Sequence, residues 1–339
     1  MSRGFLSFLD QHAISLAITT YQVGKVFILG RKPDGKLWVF NRNVGRCLGM
    51  AVTENSLWVA SDVQIIRFEN ALPPGESTRE GYDAAFVPQM AYYTGDLDIH
   101  DLGIGADGTP VFANTLFNCL ATVSATHSFH PVWKPPFISR LAAEDRCHLN
   151  GLALVDGKPG YVTAVAESDT FDGWRFQRDG GGIVFDVRND EIVCRDLSMP
   201  HSPRWHDGKL WLHNSGAGQF GFLDADKGAF EPVCFCPGYL RGLTFIDRYA
   251  IMGLSKPRHD KTFSGLPLDA ALWSRKMEAR CGLYVVDLHT GDVAHSVTLE
   301  GAITELYDVG VISGTGQPTI LGPKSPELKT TISIGPSAD

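Results

Sequence analysis

Histidines, carboxylates, amides and arginines stand at the beginning of short apolar segments throughout this sequence. Each segment continues through a turn into a second apolar segment. Residues of these types can bind a metal ion, hold an anion or transfer protons. The residues in question are His100, Asp101, His148, Asn150, His201, Arg204, Arg241, Glu305 and Asp308.

Three of these histidines point to metal chemistry. His100, His148 and His201 occupy similar positions in three segments, and with Glu305 or Asp308 they would suit a divalent transition metal. A calcium site built from oxygen ligands is the alternative. Its ligands would be Asp101, Asn150, Asn214 and Glu305. A purely structural role, in which these residues satisfy backbone groups and line a wet channel, is the third interpretation.

The arginines and the histidines also allow metal-free chemistry. Arg204 and Arg241 could clamp a carboxylate or phosphate, or form buried ion pairs with Glu305 or Asp308. A histidine could transfer protons while Asp101 or Glu305 orients it. We therefore expect three overlapping sets of residues. The catalytic candidates are His100, Asp101, His148, His201 and Glu305; the substrate-binding candidates are Asn150, Arg204, Arg241, Asn214 and Asp308; and the metal candidates are His100, His148 and His201.

The segments that carry these residues repeat. Each has a polar start, a small apolar strand, a turn such as Asp107-Gly108 or Asp156-Gly157, and a second strand rich in Trp, Val and Leu. The starts lie roughly 40 to 65 residues apart, a spacing typical of four-stranded propeller blades. They are Cys47, His100, His148, His201, Arg241 and Glu305. We predict an all-β, six-bladed β-propeller, or a seven-bladed one if Ile14–Asn41 forms a blade of its own.

Propeller geometry explains why distant residues would meet. The innermost strand of each blade runs beside the central axis, so the polar residues at its start face one opening of the channel. The ring must also close, because an open edge strand invites aggregation. We expect two strands after Glu305 to share a blade with N-terminal strands near Leu16, Lys25 and Lys36. The whole chain, 1–339, would then form one domain.

Three segments interrupt the strand pattern. Residues 2–12 place Phe5, Phe8 and Leu9 on one face, which predicts an N-terminal helix. A second helix is expected as an insertion at residues 267–280. The proline- and glycine-containing stretch Ala71–Tyr93 is expected to be a long loop.

Composition narrows the partners. The chain of 339 residues has a formal charge of −8 and no run of Lys or Arg, which argues against nucleic acid. No leader or membrane-spanning segment is predicted, and seven scattered cysteines suggest reduced thiols in the cytoplasm. Gly180-Gly-Gly182 lacks the context of a phosphate loop, so no nucleotide cofactor is expected. A small molecule or a peptide is the expected ligand, and the oligomeric state stays open.

Several motifs carry a resemblance to known families. His148-Leu-Asn-Gly-Leu-Ala followed by Asp156-Gly157 resembles blade motifs of the NHL and senescence-marker/gluconolactonase propellers. Gluconolactonase-type enzymes are calcium-dependent lactone hydrolases, and this resemblance carries over Asn150 alone as a candidate ligand. The three histidines depart from that pattern.

A closer resemblance extends over nearly the full length. The sequence is similar to an uncharacterised bacterial family, a domain of unknown function. This resemblance implies a propeller and no particular activity. The motifs that carry it are Thr20-Tyr21, His100-Asp101, His148-Leu-Asn-Gly151, Met199-Pro-His-Ser-Pro-Arg204, Arg241-Gly-Leu243 and Glu305-Leu-Tyr-Asp308.

Together these observations favour a metal-assisted hydrolase or lyase. It would act on a small polar or anionic molecule in the mouth of the propeller, with one divalent ion, a transition metal or calcium, as its cofactor. The alternative is a non-catalytic propeller that binds a peptide or protein.

Overall fold

The computed structural model describes residues 1–257 and 264–335, and their strands form six sheets around a central axis. The innermost strands of neighbouring sheets contact one another in a closed ring. The prediction of a six-bladed all-β propeller is confirmed.

The strands are numbered in chain order and the blades from the N-terminus. Blade 1 contains β1 (Ile14–Thr20), β2 (Lys25–Arg31), β3 (Leu37–Asn43) and, from the C-terminal region, β24 (Val309–Ser313). Blade 2 contains β4 (Met50–Val52), β5 (Ser56–Ala60), β6 (Gln64–Asn70), β7 (Ala84–Tyr93) and, again from the C-terminal region, β25 (Pro318–Ile320). Blade 3 contains β8 (Ile99–Ile104), β9 (Pro110–Asn114), β10 (Cys119–Thr122) and β11 (His130–Trp133).

The remaining blades are continuous in sequence. Blade 4 contains β12 (Leu149–Val155), β13 (Lys158–Ala164), β14 (Gly182–Asp186) and β15 (Glu191–Leu197). Blade 5 contains β16 (Pro200–His206), β17 (Lys209–Asn214), β18 (Gln219–Asp224) and β19 (Ala229–Phe235). Blade 6 contains β20 (Tyr239–Ile246), β21 (Tyr249–Ser255), β22 (Gly282–Asp287) and β23 (Val293–Thr298).

The chain ends close the ring in blade 1. Strand β24 is innermost there and pairs antiparallel with β1, from Ile14 opposite Ser313 to Ile18 opposite Val309. The shared blade is confirmed, and the seven-bladed alternative is wrong because the N-terminal strands complete this blade. Of the C-terminal strands that the structure describes, however, β24 alone joins this blade. Strand β25, expected in the same blade, instead pairs in parallel with β7 and covers the outer edge of blade 2.

Two α-helices of the described residues lie outside the sheets. Helix α1 (Phe5–Gln11) buries Phe5, Phe8 and Leu9 as predicted. Helix α2 (Pro267–Arg275) is shorter than the predicted 267–280, because Lys276 adopts a left-handed conformation with φ of 52° and ends it. Three short 3-10 helices span Gly173–Phe176, Ser215–Ala217 and Pro326–Lys329. The long loop expected at 71–93 is wrong beyond residue 83, since β7 occupies its second half.

Side chains of the odd-numbered blades hold the innermost strands of the even-numbered ones. Asp308 of blade 1 accepts the N–H of Met50 (3.0 Å), Asp101 of blade 3 accepts that of Leu152 (2.9 Å), and Ser202 of blade 5 accepts that of Gly242 (2.9 Å). Hydroxyls of Thr19, Thr115 and Ser215 repeat the alternation by donating to carbonyls of blades 2, 4 and 6. The blades therefore form three similar pairs.

The interior of the propeller consists of apolar side chains packed between the sheets, together with most of the cysteines. Clusters of buried aliphatic and aromatic side chains fill the spaces between blades. All seven cysteines are free, as predicted, and only Cys234 is partly exposed. Among the helices of residues 1–257 and 264–335, none is long and apolar enough to cross a membrane.

Candidate functional site

The residues at the starts of β8, β12 and β16 fall into levels along the axis. Asp98, His148 and Met199 share a left-handed backbone conformation, with φ of 52°, 52° and 47°, and form an outer level at one opening. The residues two positions later, His100, Asn150 and His201, form a second level. His148 is therefore not equivalent to His100 and His201, as the sequence suggested. In blade 4 the equivalent residue is Asn150.

A cavity of about 280 Å³ occupies this end of the channel, and we call it the axial cavity. Of the residues singled out from the sequence, His100, His148 and Arg241 line it. The other lining residues are Tyr21, Arg46, Leu48, Asp98, Asp145, Trp174, Arg175, Met199 and Tyr307. Its volume lies just below the range of roughly 300–1,000 Å³ seen for ligand pockets, which suits a small ligand.

His148 has the surroundings of an acid/base residue. Its Nδ1 lies 2.9 Å from Oδ2 of Asp145, and its ring stacks on Trp174 with centroids 4.2 Å apart. The indole of Trp174 donates to the same Asp145 oxygen at 2.8 Å. In the neutral ring this arrangement holds the proton on Nδ1 and leaves Nε2 as the basic nitrogen.

His100 lies against His148 and is held as a neutral ring. The two ring centroids are 4.6 Å apart, and Nδ1 of His100 donates to the carbonyl of Asp98 at 2.8 Å. Burial lowers the pKa of His100 to about 4, although the neighbouring Asp98 acts in the opposite direction. Burial would raise the pKa of Asp98, but electrostatic interactions with the neighbouring histidines and with Arg46 and Arg241 outweigh it, so this pKa is lowered.

Arg241 is the buried cation of the axial cavity. Its guanidinium carbon lies 4.6 Å from the ring centre of Tyr307, 5.3 Å from that of Tyr239 and 5.8 Å from that of Tyr21. Such stacking stabilises a desolvated cation. Glu305 does not line the cavity, but it accepts a hydrogen bond from the Tyr21 hydroxyl at the wall.

His201 and Asn150 lie beneath the lining. Nδ1 of His201 donates to the Met199 carbonyl at 2.9 Å, and Nε2 faces the Asn150 amide nitrogen at 3.4 Å. The Asn150 carbonyl in turn accepts from Thr163 at 2.8 Å. Burial lowers the pKa of His201 well below its usual value. The structure therefore places both residues in the wall that supports the cavity, where their polar atoms are occupied.

Asp101, Arg204 and Asp308 form an ion cluster deeper in the channel, which we call the central plug. Arg204 makes a two-pronged contact with Asp101 at 2.7 and 3.0 Å and approaches Asp308 at 3.8 Å. Burial raises the pKa of Asp308 to about 7, opposed by Arg204 and assisted by Asp101. Arg204 also lines a separate cavity of about 250 Å³ at the opposite end of the innermost strands. These three residues, expected at the mouth, do not line the axial cavity.

Asn214 also lies away from the axial cavity. Its carbonyl accepts the N–H of Ser198 at 2.8 Å, and its amide donates to Gln219 at 3.1 Å. It lines a groove between the outer parts of blades 4 and 5. Asn214 is the last residue of β17, the second strand of blade 5, and it lies in this groove rather than at the expected site.

The three histidines do not form a three-ligand metal site. Within residues 1–257 and 264–335, no group of three or more His, Cys, Asp or Glu side chains has the arrangement to hold a metal ion. His201 cannot join the other two histidines because it lies one level deeper than His148, and its two ring nitrogens contact the Met199 carbonyl and the Asn150 amide. A bound metal ion stays a prediction from the sequence.

Sequence reasoning missed several residues of the site. Tyr307 and Tyr21 were part of recognised motifs but were not selected as site residues. Asp145 stands three residues before His148, a spacing that could have suggested its pairing. Trp174 comes from the connection between β13 and β14, and the repeat pattern gives no signal for it.

Comparisons with known proteins place the chain in a family. A family model described as "Domain of unknown function (DUF4915)" matches residues 3–321. The chain belongs to this family. The resemblance inferred from the motifs is confirmed, and this family carries no assigned activity. No curated protein matches the sequence.

Several solved structures are similar to this DUF4915 chain. A chain of a nidogen/laminin complex has 12% identity and a TM-score of 0.54, covering 89% of this chain and 99% of that one. A Bacteroides caccae protein of unknown function has 12% identity and a TM-score of 0.51, with 88% and 99% covered. Virginiamycin B lyase from Staphylococcus aureus has 13% identity, a TM-score of 0.40, and 73% and 93% covered. The first two likenesses concern the fold alone, and the third supports no conclusion.

Proposed function

We propose that this protein is an enzyme, a hydrolase or lyase, that acts on a small anionic molecule in the axial cavity. His148 would transfer the proton, Asp145 would orient its ring, and Arg241 would hold the anionic group. The observation that carries the proposal is the contact of His148 Nδ1 with Asp145 at 2.9 Å, in a ring that lines a cavity shared with a buried arginine.

The protein environment supports proton transfer at His148 in particular. Trp174 covers one face of the ring and bonds to Asp145, so both partners are held in place. His100 stays neutral at physiological pH because burial lowers its pKa to about 4, and it therefore places no positive charge beside His148. Such fixed pairs of a base and an orienting carboxylate recur in acid/base catalysis.

The test is a reaction screen followed by nuclear magnetic resonance in deuterated water. The probes are small lactones and hydroxy or uronic acids that carry a leaving group beside an acidic C–H bond. Hydrolysis would yield the opened acid, and elimination would yield a new alkene signal or deuterium in the substrate. We expect the His148→Gln variant to lose about 100-fold or more in turnover.

His127→Gln is the matched control, because His127 is exposed and bonds only to nearby residues of its own loop. The control should keep wild-type turnover. Turnover of the probes by His148→Gln at the wild-type rate would contradict the proposal. Elemental analysis of the same samples tests the separate prediction of a divalent metal ion.

A second candidate, a propeller that binds a peptide or protein, is favoured by one observation. Phe176 and Trp273 are 92% and 88% exposed, and Phe176 follows Arg175 at the wall of the axial cavity. Exposed aromatic residues are typical of binding surfaces. Replacing both with serine should leave the turnover of small probes unchanged if the enzyme proposal holds.

A further inference from the structure

Tyr307 carries a buried hydroxyl group with no hydrogen-bond partner in the part of the chain that the structure describes. The residue is 3% exposed and lines the axial cavity. Buried hydroxyl groups in native proteins nearly always have a partner, because an unsatisfied one costs free energy. A tyrosine hydroxyl in a cavity wall is therefore suited to donate to a bound acceptor.

A buried cation lies over the ring that carries this hydroxyl. The guanidinium of Arg241 lies over the Tyr307 ring at 4.6 Å and is enclosed by two further tyrosines. Its positive charge also acts on His201: burial is the main cause that lowers the pKa of His201, and Arg241 is the second. The Tyr307 hydroxyl and Arg241 thus offer hydrogen-bond donors and a positive charge along one side of the cavity.

The acidic residues of the same cavity already have partners. Asp98 pairs with Arg46 at 2.8 Å, and Asp145 contacts Nδ1 of His148 at 2.9 Å. Arg46, Arg175 and Arg241 all line the cavity, so its charge favours an anionic ligand. The volume of about 280 Å³ also restricts the ligand to a small molecule.

Resting on the proposed function, we propose that the substrate is a small monocarboxylate whose carboxylate group accepts hydrogen bonds from the Tyr307 hydroxyl and from Arg241. A planar carboxylate matches a guanidinium and a phenol better than a tetrahedral dianion does, because both donors can lie near its plane. The acid/base pair of His148 and Asp145 lines the same cavity, so the rest of the same molecule can lie beside it.

The test is a binding titration with matched probes. Acetate, lactate and glucuronate are compared with their primary amides and with inorganic phosphate, by saturation-transfer resonance and calorimetry. We expect at least one of the carboxylates to bind, and its amide and phosphate to bind at least tenfold more weakly. Tyr307→Phe should weaken binding of that carboxylate about 10- to 100-fold, and Arg241→Gln at least as much.

Tyr161→Phe is the control, since it removes a hydroxyl that accepts from Arg188 on the outside of blade 4. It should bind like the wild type. Equal affinity for carboxylate and amide, tighter binding of phosphate, no binding of any carboxylate, or wild-type binding by Tyr307→Phe would overturn the proposal.

These outcomes are separable from those of the proposed function. His148→Gln should still bind the carboxylate, because His148 is not one of the groups proposed to hold it. Selective carboxylate binding without His148-dependent turnover would reject the enzyme and keep the binding site. His148-dependent turnover of uncharged probes alone would reject the carboxylate site and keep the enzyme.

Discussion

The axial cavity and the central plug lie next to each other on the same innermost strands and differ in how their polar groups are satisfied. In the plug, Arg204 donates to Asp101 and to the carbonyls of Leu152 and Leu243. In the cavity wall, the hydroxyl of Tyr307 has no partner among the described residues. A satisfied cluster stabilises the propeller, whereas donors left over in a cavity are available to a ligand.

The largest effect should come from breaking the plug. Arg204→Met leaves Asp101 and Asp308 buried together without their cation, and should lower the free energy of unfolding by about 3–5 kcal/mol. Urea denaturation measures this. Arg195→Met is the control, because the ion pair of Arg195 with Glu167 is exposed and should be worth about 1 kcal/mol or less. A loss for Arg204→Met no larger than that of the control would mean that the plug is not a stabilising cluster.

An intermediate effect should appear in acid, at a histidine close to the plug. His213 is fully buried and bonds to the Gly242 carbonyl at 3.1 Å, and burial lowers its pKa to about 4. Below the usual pKa of about 6.5, the unfolded chain takes up a proton that the folded chain excludes. His213 therefore stabilises the fold fully above that pH, and this contribution falls as the pH drops towards 4.

At pH 5 the lost contribution of His213 is about 2 kcal/mol relative to neutral pH. Between pH 7.5 and pH 5, the free energy of unfolding of His213→Gln should therefore fall by about 2 kcal/mol less than that of the wild type. Asp308 acts in the opposite direction, since its pKa is raised to about 7, but it is present in both proteins and cancels in the comparison. Parallel pH profiles for the two proteins would show that His213 does not titrate as described.

The smallest change in the free energy of unfolding is expected for Tyr307→Phe, although this variant should bind a carboxylate much more weakly. Tyr307→Phe removes an unsatisfied hydroxyl and should leave the free energy of unfolding unchanged or raise it by about 1 kcal/mol. Tyr21→Phe is the comparison, because it removes the hydrogen bond to Glu305 and should destabilise the protein. Thermal unfolding of both variants measures the difference. A stability loss in Tyr307→Phe equal to that in Tyr21→Phe would indicate that the hydroxyl is partnered within the protein.

Much of the fold could be predicted because blades repeat a local pattern. Turns such as Asp156-Gly157 join two strands that follow each other in the sequence and pair with each other in the sheet. Within such a blade, the order of the strands in the sequence is therefore also their order in space. The place of β25 could not be predicted in this way. Its parallel pairing with β7 joins segments more than 200 residues apart, and no periodicity encodes such a contact.

The candidate site was predictable only in part, for a related physical reason. The repeat indicated which strand starts approach the axis, and it correctly brought His100, His148 and Arg241 together. It did not resolve the levels along the axis, which depend on left-handed residues such as His148 and Met199. Neighbouring residues of one strand can lie in different places: His100 lines the axial cavity, whereas Asp101, the next residue, belongs to the central plug.

The most direct test of the account is a crystal structure of the protein soaked with the carboxylate that binds most tightly in the titration. The account predicts the carboxylate group within hydrogen-bond distance of both the Tyr307 hydroxyl and the Arg241 guanidinium. The same molecule bound instead beside Arg204 at the opposite end of the channel, or in the groove near Asn214, would contradict it.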